Sequence, residues 1–181
     1  AGALGIDVGS SNSVVAVARK GGVDVISNEA SRRQTPSLVG FDARQRRIGE
    51  SAAPLRTSSP RSVVRVKTLL LSSTRTSDLE GDVEVGYAEN GDSLVHVDYL
   101  GEQRAFTPMQ LLAMLLAHLR EQATHDHGGP LVDAVLAVPS YSTPPQRRAA
   151  LDACELAGVR AVRLLTDGCA AALDYSLSRR D

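Results

Sequence analysis

Apolar residues alternate with small or polar ones from the beginning of the chain. Over residues 4–8 the apolar positions share one face of an extended segment, and Asp7 lies on the other face between two glycines. The alternation resumes at residue 14 after a short polar break. This pattern predicts two strands, over residues 4–8 and 14–19, joined by a tight turn, and a third short strand over residues 23–27.

The last third of the chain alternates between helical and strand patterns. A helix is predicted to begin after Thr107, because Pro108 suits the first helical position and Gln110 completes a capping box. The elements predicted after it are strands over residues 131–138 and 159–165 and helices over residues 142–158 and 167–179. Such alternation is typical of an α/β fold, in which helices cover a sheet.

The pattern in the middle of the chain predicts shorter strands and one short helix. Alternating segments over residues 83–88 and 94–99 flank Asn90-Gly91, a dipeptide that strongly favours a hairpin turn. A short helix that includes Lys67 is predicted over residues 62–71. Two more short strands are predicted, over residues 37–41 and 47–49.

Composition narrows the classes of partner. The chain has 181 residues, a formal net charge of −1 and no Trp, so neither nucleic acid nor a membrane surface is expected as a partner. Cys154 and Cys169 lie in alanine-rich helical patterns, which favours a reducing compartment over a disulfide framework. His125 and His127 could bind a metal, but no further ligands accompany them. The preferred interpretation is a polar helix terminus. His118 is expected to be a solvated helix residue.

Groups that suit phosphate chemistry are concentrated in the turn between the first two predicted strands. Gly9 allows a ligand to approach the backbone closely, consecutive amides can bind an anion, and Ser10 and Ser11 add hydroxyl donors. Asp7 cannot bind phosphate itself, but a carboxylate can hold the hydrated Mg²⁺ that accompanies a phosphate. The same residues also fit an ordinary hairpin with an acid and serines in its turn.

Other classes of site are poorly supported. The chain has no Gly-x-Ser-x-Gly elbow and no recognisable Cys–His pair for a nucleophilic hydrolase. Gly5 and Gly9 lack the spacing of a dinucleotide-binding fingerprint or a P-loop, and a strand rather than a helix follows them. What fits is a phosphate held by a β-hairpin turn, which is the geometry of the actin, sugar-kinase and seventy-kilodalton heat-shock ATPases.

A series of segments occurs in the order and at the spacing of one known family. The segments are Gly5-Ile6-Asp7-Val8-Gly9-Ser10, Ser27-Asn28-Glu29, Arg33-Gln34-Thr35-Pro36-Ser37, Arg47-Ile48-Gly49, Ala137-Val138-Pro139-Ser140-Tyr141 with Gln146-Arg147-Arg148, and Arg163-Leu164-Leu165-Thr166-Asp167-Gly168-Cys169-Ala170-Ala171-Ala172-Leu173-Asp174-Tyr175. They resemble the seventy-kilodalton heat-shock chaperones over nearly the whole chain. Details that resemble the large, hundred-and-ten-kilodalton branch of that family are Val8-Gly9-Ser10, Asn28-Glu29, Ala113-Met114-Leu115-Leu116 and Asp167.

The resemblance implies a site for ATP or ADP with Mg²⁺. It assigns Asp7 to the shell of water around Mg²⁺ and the phosphate hairpin to Gly9, Ser10, Ser11 and Asn12. Asn12 stands where ordinary members of the family carry an aromatic residue.

Four more residues receive roles from the resemblance alone. Lys67 matches a lysine that reaches the phosphates and the attacking water, and Asp167 matches an acid near Mg²⁺ and that water. Pro139 and Arg147 match residues that relay the nucleotide state between domains. Without the resemblance, Lys67 would be interpreted as a solvated lysine and Asp167 as an acid at a helix N-terminus. Pro139 would be a residue that ends a strand, and Arg147 a surface charge.

Departures from the family pattern weaken the expectation of ATP hydrolysis more than the expectation of ATP binding. Asp167 stands where ordinary members carry Glu, so its carboxylate is expected about 1 Å further from the water, a misplacement that can cost about a hundredfold in rate. Gly168 and Cys169 replace the usual Pro and Thr, which loosens the entry to the helix and removes a hydroxyl.

The resemblance implies an actin-like, ribonuclease-H-type α/β lobe with a mixed sheet. The core lobe is expected over residues 1–35 and 109–181, with a smaller α+β subdomain inserted over residues 36–108. The second glycine-rich phosphate hairpin, the adenosine pocket and the second lobe of the family would follow Asp181. The isolated chain is therefore expected to be catalytically silent.

The expected parent is an ATP-binding protein of the large heat-shock branch. Such proteins act in protein folding as nucleotide-exchange partners and holdases, so the expected partners are seventy-kilodalton chaperones and unfolded client polypeptides, not nucleic acid or membrane. The alternatives are an ordinary seventy-kilodalton chaperone ATPase and a pure interaction module with a vestigial nucleotide site. The expected location is the cytoplasm, with the lumen of the endoplasmic reticulum as the alternative.

Overall fold

The computed structural model describes residues 2–59, 63–66, 83–89 and 91–178. Lys67, most of the helix predicted over residues 62–71, and Asn90 lie outside these ranges. In chain order the strands are β1 (Ala3–Val8), β2 (Asn12–Arg19), β3 (Gly22–Val25), β4 (Thr35–Pro36), β5 (Leu38–Phe41), β6 (Arg46–Ile48), β7 (Val63–Arg65), β8 (Glu84–Tyr87), β9 (Ser93–Tyr99), β10 (Glu102–Phe106), β11 (Asp133–Val138) and β12 (Arg160–Thr166). The helices are α1 (Leu55–Ser58), α2 (Pro108–His127), α3 (Pro144–Leu156) and α4 (Asp167–Ser178).

The largest sheet has β1 at its centre. Its strand order is β12-β11-β1-β2-β3, and β4 also pairs with β2. β1 runs parallel to β11, and β11 runs parallel to β12, whereas β2 is antiparallel to both β1 and β3. This mixed sheet with flanking helices confirms the predicted α/β fold.

One face of the main sheet is buried beneath α2, against which α3 packs. Leu4, Ile6 and Val8 of β1 are each only 2% exposed. The buried leucines of α2 are Leu111, Leu112, Leu115, Leu116 and Leu119. Full burial of one such side chain contributes about 1.5–3 kcal/mol. The alternation in the sequence therefore identifies the inward face of β1 and leaves Asp7 on the opposite face.

Capping side chains set the ends of α2 as its sequence predicts. The amide of Gln110 donates to Thr107 Oγ1 at 3.2 Å, and Gln110 Oε1 accepts from the amide of Thr107 at 2.9 Å. The helix ends at Gly128, whose φ of 72° is favourable for glycine. His125 and His127 lie in the last turn of this helix, as a polar helix terminus requires. Among the described residues, no helix is both long and apolar enough to cross a membrane.

His118 differs from its prediction as a solvated residue. Its side chain is only 23% exposed, and its Nε2 lies 3.0 Å from Nε2 of Gln122. Burial lowers the pKa of His118, although the carboxylates of Glu29 and Glu121 oppose this shift. The residue therefore packs where the loop after β3 meets α2, rather than facing solvent.

Two smaller sheets, β6-β5-β7 and β10-β9-β8, are formed by the segment between β4 and α2. Phe41 joins them, since its ring centroid lies 4.9 Å from that of Phe106 and 5.2 Å from that of Tyr99. Both sheets fall within the subdomain predicted over residues 36–108. Phe41 also belongs to the same hydrophobic cluster as Leu4 of the main sheet. The division of the chain into a core lobe and an inserted subdomain stays a prediction.

The helix predicted over residues 62–71 is wrong over residues 63–65. Val63–Arg65 forms β7, which pairs antiparallel with β5. Val63 and Val64 are buried, and β-branched side chains favour a strand wherever a partner strand is present. Because that partner is distant in sequence, the local pattern alone could not reveal it.

Candidate functional site

The carboxyl ends of three strands meet at one edge of the main sheet. β1, β11 and β12 run in the same direction, and neighbouring strands lie about 4.8 Å apart. Gly9 begins the turn after β1, Pro139 follows β11, and Asp167 begins α4 directly after β12. In open α/β sheets, ligands bind outside the carboxyl ends of the strands. The topology therefore brings three parts of the predicted site to one edge.

Asp7 is exposed on the open face of β1, one residue before the end of the strand. It pairs in register with Val14 of β2 and Ala137 of β11. Since Leu4, Ile6 and Val8 occupy the buried face, the register directs the carboxylate away from the core. This arrangement places a hard oxygen ligand beside the turn that follows β1.

The turn between β1 and β2 is too tight for any side chain at Gly9. A Cβ atom built at Gly9 would lie 2.2 Å from the backbone oxygen of Asn12, so the glycine is required by close approach of the chain to itself. Ser10, Ser11 and Asn12 are exposed. The turn thus presents two hydroxyl groups to solvent at the edge where Asp7 lies.

A buried junction anchors this turn to the chain that leads into the smaller sheets. Ser13 Oγ lies 2.8 Å from Ser37 Oγ, and both residues are fully buried. The amide of Ser37 donates to the carbonyl oxygen of Ser11 at 2.9 Å, and the carbonyl oxygen of Ser37 accepts from the amide of Val66 at 3.3 Å. The sequence analysis missed this junction. Its signal was that Ser13 shares the buried face of β2 with Val15 and Val17.

The loop between β3 and β4 is organised by the side chain of Asn28, which is 7% exposed. Its Nδ2 donates to the carbonyl oxygen of Gln34 at 3.0 Å and to Glu50 Oε1 at 3.2 Å. Its Oδ1 accepts from the amides of Ala30 and Arg32 at 3.0 and 2.9 Å. With its side-chain amide fully engaged, Asn28 holds this loop against the turn that follows β6.

Asp167 is exposed at the first position of α4. The N-terminal end of a helix favours a negative charge there. The amide of Cys169 is 3.4 Å from Thr166 Oγ1, so the last residue of β12 contributes to the start of the helix. Asp167 and the turn after β1 lie at the same edge, two strands apart.

Arg147 is not the free surface charge that its sequence context alone suggested. It is half-buried, and its Nε donates to the carbonyl oxygen of Ser142 at 3.0 Å, with a second guanidinium nitrogen 3.4 Å from the carbonyl oxygen of Ser140. The carbonyl oxygen of Pro139 accepts from the amide of Ser142 at 3.1 Å. Arg147 therefore holds the loop that Pro139 begins.

The oxygen donors at this edge fit a hydrated Mg²⁺ and a phosphate. Asp7 and Asp167 supply carboxylates, and Ser10 and Ser11 supply hydroxyls. Within residues 2–59, 63–66, 83–89 and 91–178, no cluster of three or more His, Cys, Asp or Glu residues could hold a metal directly. Mg²⁺ usually keeps several waters and takes only one or two carboxylates, so the donor set suits binding through water. The predicted contribution of Lys67 lies outside the described residues.

The sequence profile described as Hsp70 protein matches residues 3–181. The chain belongs to the Hsp70 family. Heat shock 70 kDa protein 16 of Arabidopsis thaliana is 38% identical, over 98% of this chain and 24% of its own length. The heat shock protein hsp88 of Neurospora crassa is 39% identical, over 98% of this chain and 26% of its own. The chaperone protein DnaK of Akkermansia muciniphila is 35% identical, over 98% of this chain and 28% of its own length.

These relatives confirm the resemblance to the Hsp70 family and to its large, hundred-and-ten-kilodalton branch. The Hsp70 ATPase domain has the actin-like fold, which agrees with the mixed sheet and flanking helices found here. The chain spans about a quarter of the length of the curated relatives it matches.

The two cysteines are expected to differ sharply in reactivity with iodoacetamide. Burial raises the pKa of the Cys154 thiol to about 11, so at pH 8 only about one thiol in a thousand is the reactive thiolate. Cys169 is exposed at the start of α4. We expect mass spectrometry to show one label on the folded chain, at Cys169, and two labels after unfolding in urea.

The variant Cys169→Ser provides the control for this labelling, because its folded form should stay unlabelled. Rapid labelling of Cys154 in folded Cys169→Ser would contradict the burial of that thiol on the inner face of α3.

Proposed function

We propose that this chain is the first lobe of the ATP-binding domain of a large-branch Hsp70 protein, which acts as a nucleotide-exchange partner and holdase of seventy-kilodalton chaperones. Members of the Hsp70 family in general bind ATP or ADP with Mg²⁺. The observation that carries the proposal is the position of Asp7 and the turn after it, at the edge where three parallel strands end.

The turn after β1 binds phosphate in this proposal. Its residues expose backbone amides and the hydroxyls of Ser10 and Ser11, which donate hydrogen bonds to phosphate oxygens. Asp7 accepts hydrogen bonds from the waters that surround Mg²⁺, since the strand register holds its carboxylate on the open face. Mg²⁺, when bound, supplies positive charge that offsets the charge of the phosphates.

The arrangement near Asp167 favours binding over hydrolysis. In the proposed reaction its carboxylate orients the attacking water, but Asp is one methylene shorter than the Glu of ordinary family members. Lys67 is proposed to reach the same phosphates. Val66 precedes it, and the amide of Val66 donates to the carbonyl oxygen of Ser37, whose own amide donates to the carbonyl oxygen of Ser11. These hydrogen bonds bring Val66 close to the turn after β1, which supports the role proposed for Lys67.

Pro139 and Arg147 are proposed to relay the nucleotide state between domains. Arg147 supports this role because its guanidinium holds carbonyl oxygens of the loop that begins at Pro139. Arg147 therefore provides a side-chain link between the loop after β11 and α3.

The partners proposed for the whole protein are seventy-kilodalton chaperones and unfolded client polypeptides. Its location in the cytoplasm, or alternatively in the lumen of the endoplasmic reticulum, stays a prediction. An ordinary seventy-kilodalton chaperone ATPase is the second candidate, favoured by the match to the DnaK of Akkermansia muciniphila over 98% of this chain.

In the full-length protein, Asp7→Asn is expected to weaken the binding of ATP with Mg²⁺ by about ten- to a hundredfold, since charged groups form hydrogen bonds worth about 1.5–3 kcal/mol. Calorimetry with and without Mg²⁺ measures this effect. Asp98→Asn is the matched control, because Asp98 is an exposed strand acid on β9, which belongs to a different sheet from that of Asp7.

An exchange assay with a seventy-kilodalton chaperone then separates the proposal from a pure interaction module. We expect Asp7→Asn to lose exchange activity along with nucleotide affinity. Exchange activity that survives unchanged would show that this nucleotide site is vestigial.

We expect Asp167→Glu to raise ATP hydrolysis by the full-length protein by up to about a hundredfold. The longer side chain moves the carboxylate about 1 Å toward the water, a distance that can carry this rate difference. Phosphate release at saturating ATP and Mg²⁺ measures the effect. Asp167→Asn, which keeps the length and loses the charge, should not accelerate the reaction. An Asp167→Glu variant no faster than the wild type would rule out side-chain length as the limit.

A further inference from the structure

Ser13 and Ser37 form a buried polar pair at the end of the apolar face of β2. Ser13 lies on the buried side of β2 beside Val15 and Val17, and its hydroxyl contacts the hydroxyl of Ser37 at 2.8 Å. Both residues are 0% exposed. Two apolar groups of the same shape could replace such a pair with little change in stability. The hydroxyl pair is therefore better explained by the geometry that it imposes than by the stability that it adds.

Ser37 makes hydrogen bonds to three residues in two separate segments. Its hydroxyl meets Ser13, its amide donates to the carbonyl oxygen of Ser11 at 2.9 Å, and its carbonyl oxygen accepts from the amide of Val66 at 3.3 Å. Ser11 and Ser13 flank Asn12, which pairs in register with Pro36. Because Pro36 has no N–H to donate, Ser37 supplies the hydrogen bonds on either side of that position.

The exposed side chain of Ser11 lies on the side of the turn where phosphate would bind in the proposed function. The carbonyl oxygen of Ser11 accepts a hydrogen bond from the buried residue Ser37, whereas the side chain of Ser11 is exposed to solvent. Fixing one side of a peptide unit also fixes the direction in which its other groups point. A preorganised set of donors binds a ligand with a smaller loss of conformational entropy.

We propose that Ser37, through its hydrogen bond to Ser13, is a positioning residue for the phosphate turn. This inference rests on the proposed binding of ATP and Mg²⁺ at the turn. Ser37 touches no phosphate itself. It holds Ser11 and Ser13 in one relative position and links the turn to the end of β7.

Three variants of the full-length protein test the inference: Ser13→Ala, Ser37→Ala and the double variant. Each single substitution leaves one buried hydroxyl without its partner and should lower the midpoint of unfolding in urea. The double variant removes both hydroxyls and should recover most of that midpoint. Its affinity for ATP with Mg²⁺ should nevertheless stay about two- to tenfold below that of the wild type, because the turn has lost its side-chain anchor.

A merely structural role for the pair makes a different prediction, since affinity would then recover together with stability in the double variant. That result would overturn the inference. Ser51→Ala is the matched control, because Ser51 is exposed after β6 and, within the part of the chain that the structure describes, its Oγ hydrogen-bonds only the backbone of Ile48. We expect its affinity to equal that of the wild type.

Wild-type protein that fails to bind ATP with Mg²⁺ would overturn the proposed function together with this inference. Wild-type binding with equal affinity in the double variant would overturn the positioning role alone. The two failures are therefore distinguishable in one set of titrations.

Discussion

The pairing of β1 with β2 on one side and β11 on the other fixes the candidate site. The antiparallel pairing with β2 forces the chain to reverse at Gly9, and the parallel pairing with β11 brings Pro139 to the same edge. A slip of one residue would bury Asp7 and expose Val8, which the apolar core resists. Burial of one face of β1 thus determines the position of a polar group on the other.

Among the described residues, polar contacts connect this edge to the rest of the molecule on two sides. On one side, Ser37 hydrogen-bonds the turn after β1 and also begins the segment that forms the smaller sheets, where Phe41 packs against Tyr99 and Phe106. On the other side, Arg147 ties the loop after β11 to α3. Polar contacts therefore attach this edge to the neighbouring parts of the structure at two places, the turn after β1 and the loop after β11.

Local patterns in the sequence predicted the strands and helices that are determined by residues close together in the chain. Alternation was sufficient for β1, since one face of that strand is apolar, and the capping box at Thr107 was sufficient for the start of α2. β7 was mistaken for a helix because its partner β5 is distant in sequence. The pairing of Ser13 with Ser37 and the carbonyl contacts of Arg147 also depend on chain crossings that no local pattern encodes. The roles of Asp167 and Lys67 came from the family resemblance alone.

The proposed binding of phosphate at the turn after β1 is tested most directly by a crystal structure of the full-length protein with Mn²⁺ and a non-hydrolysable ATP analogue. The anomalous signal of Mn²⁺ locates the metal independently of the protein. We predict that Mn²⁺ lies within one water of the Asp7 carboxylate and that phosphate oxygens accept hydrogen bonds from residues 9–11. A nucleotide bound elsewhere, with no ligand at this turn, would contradict the account.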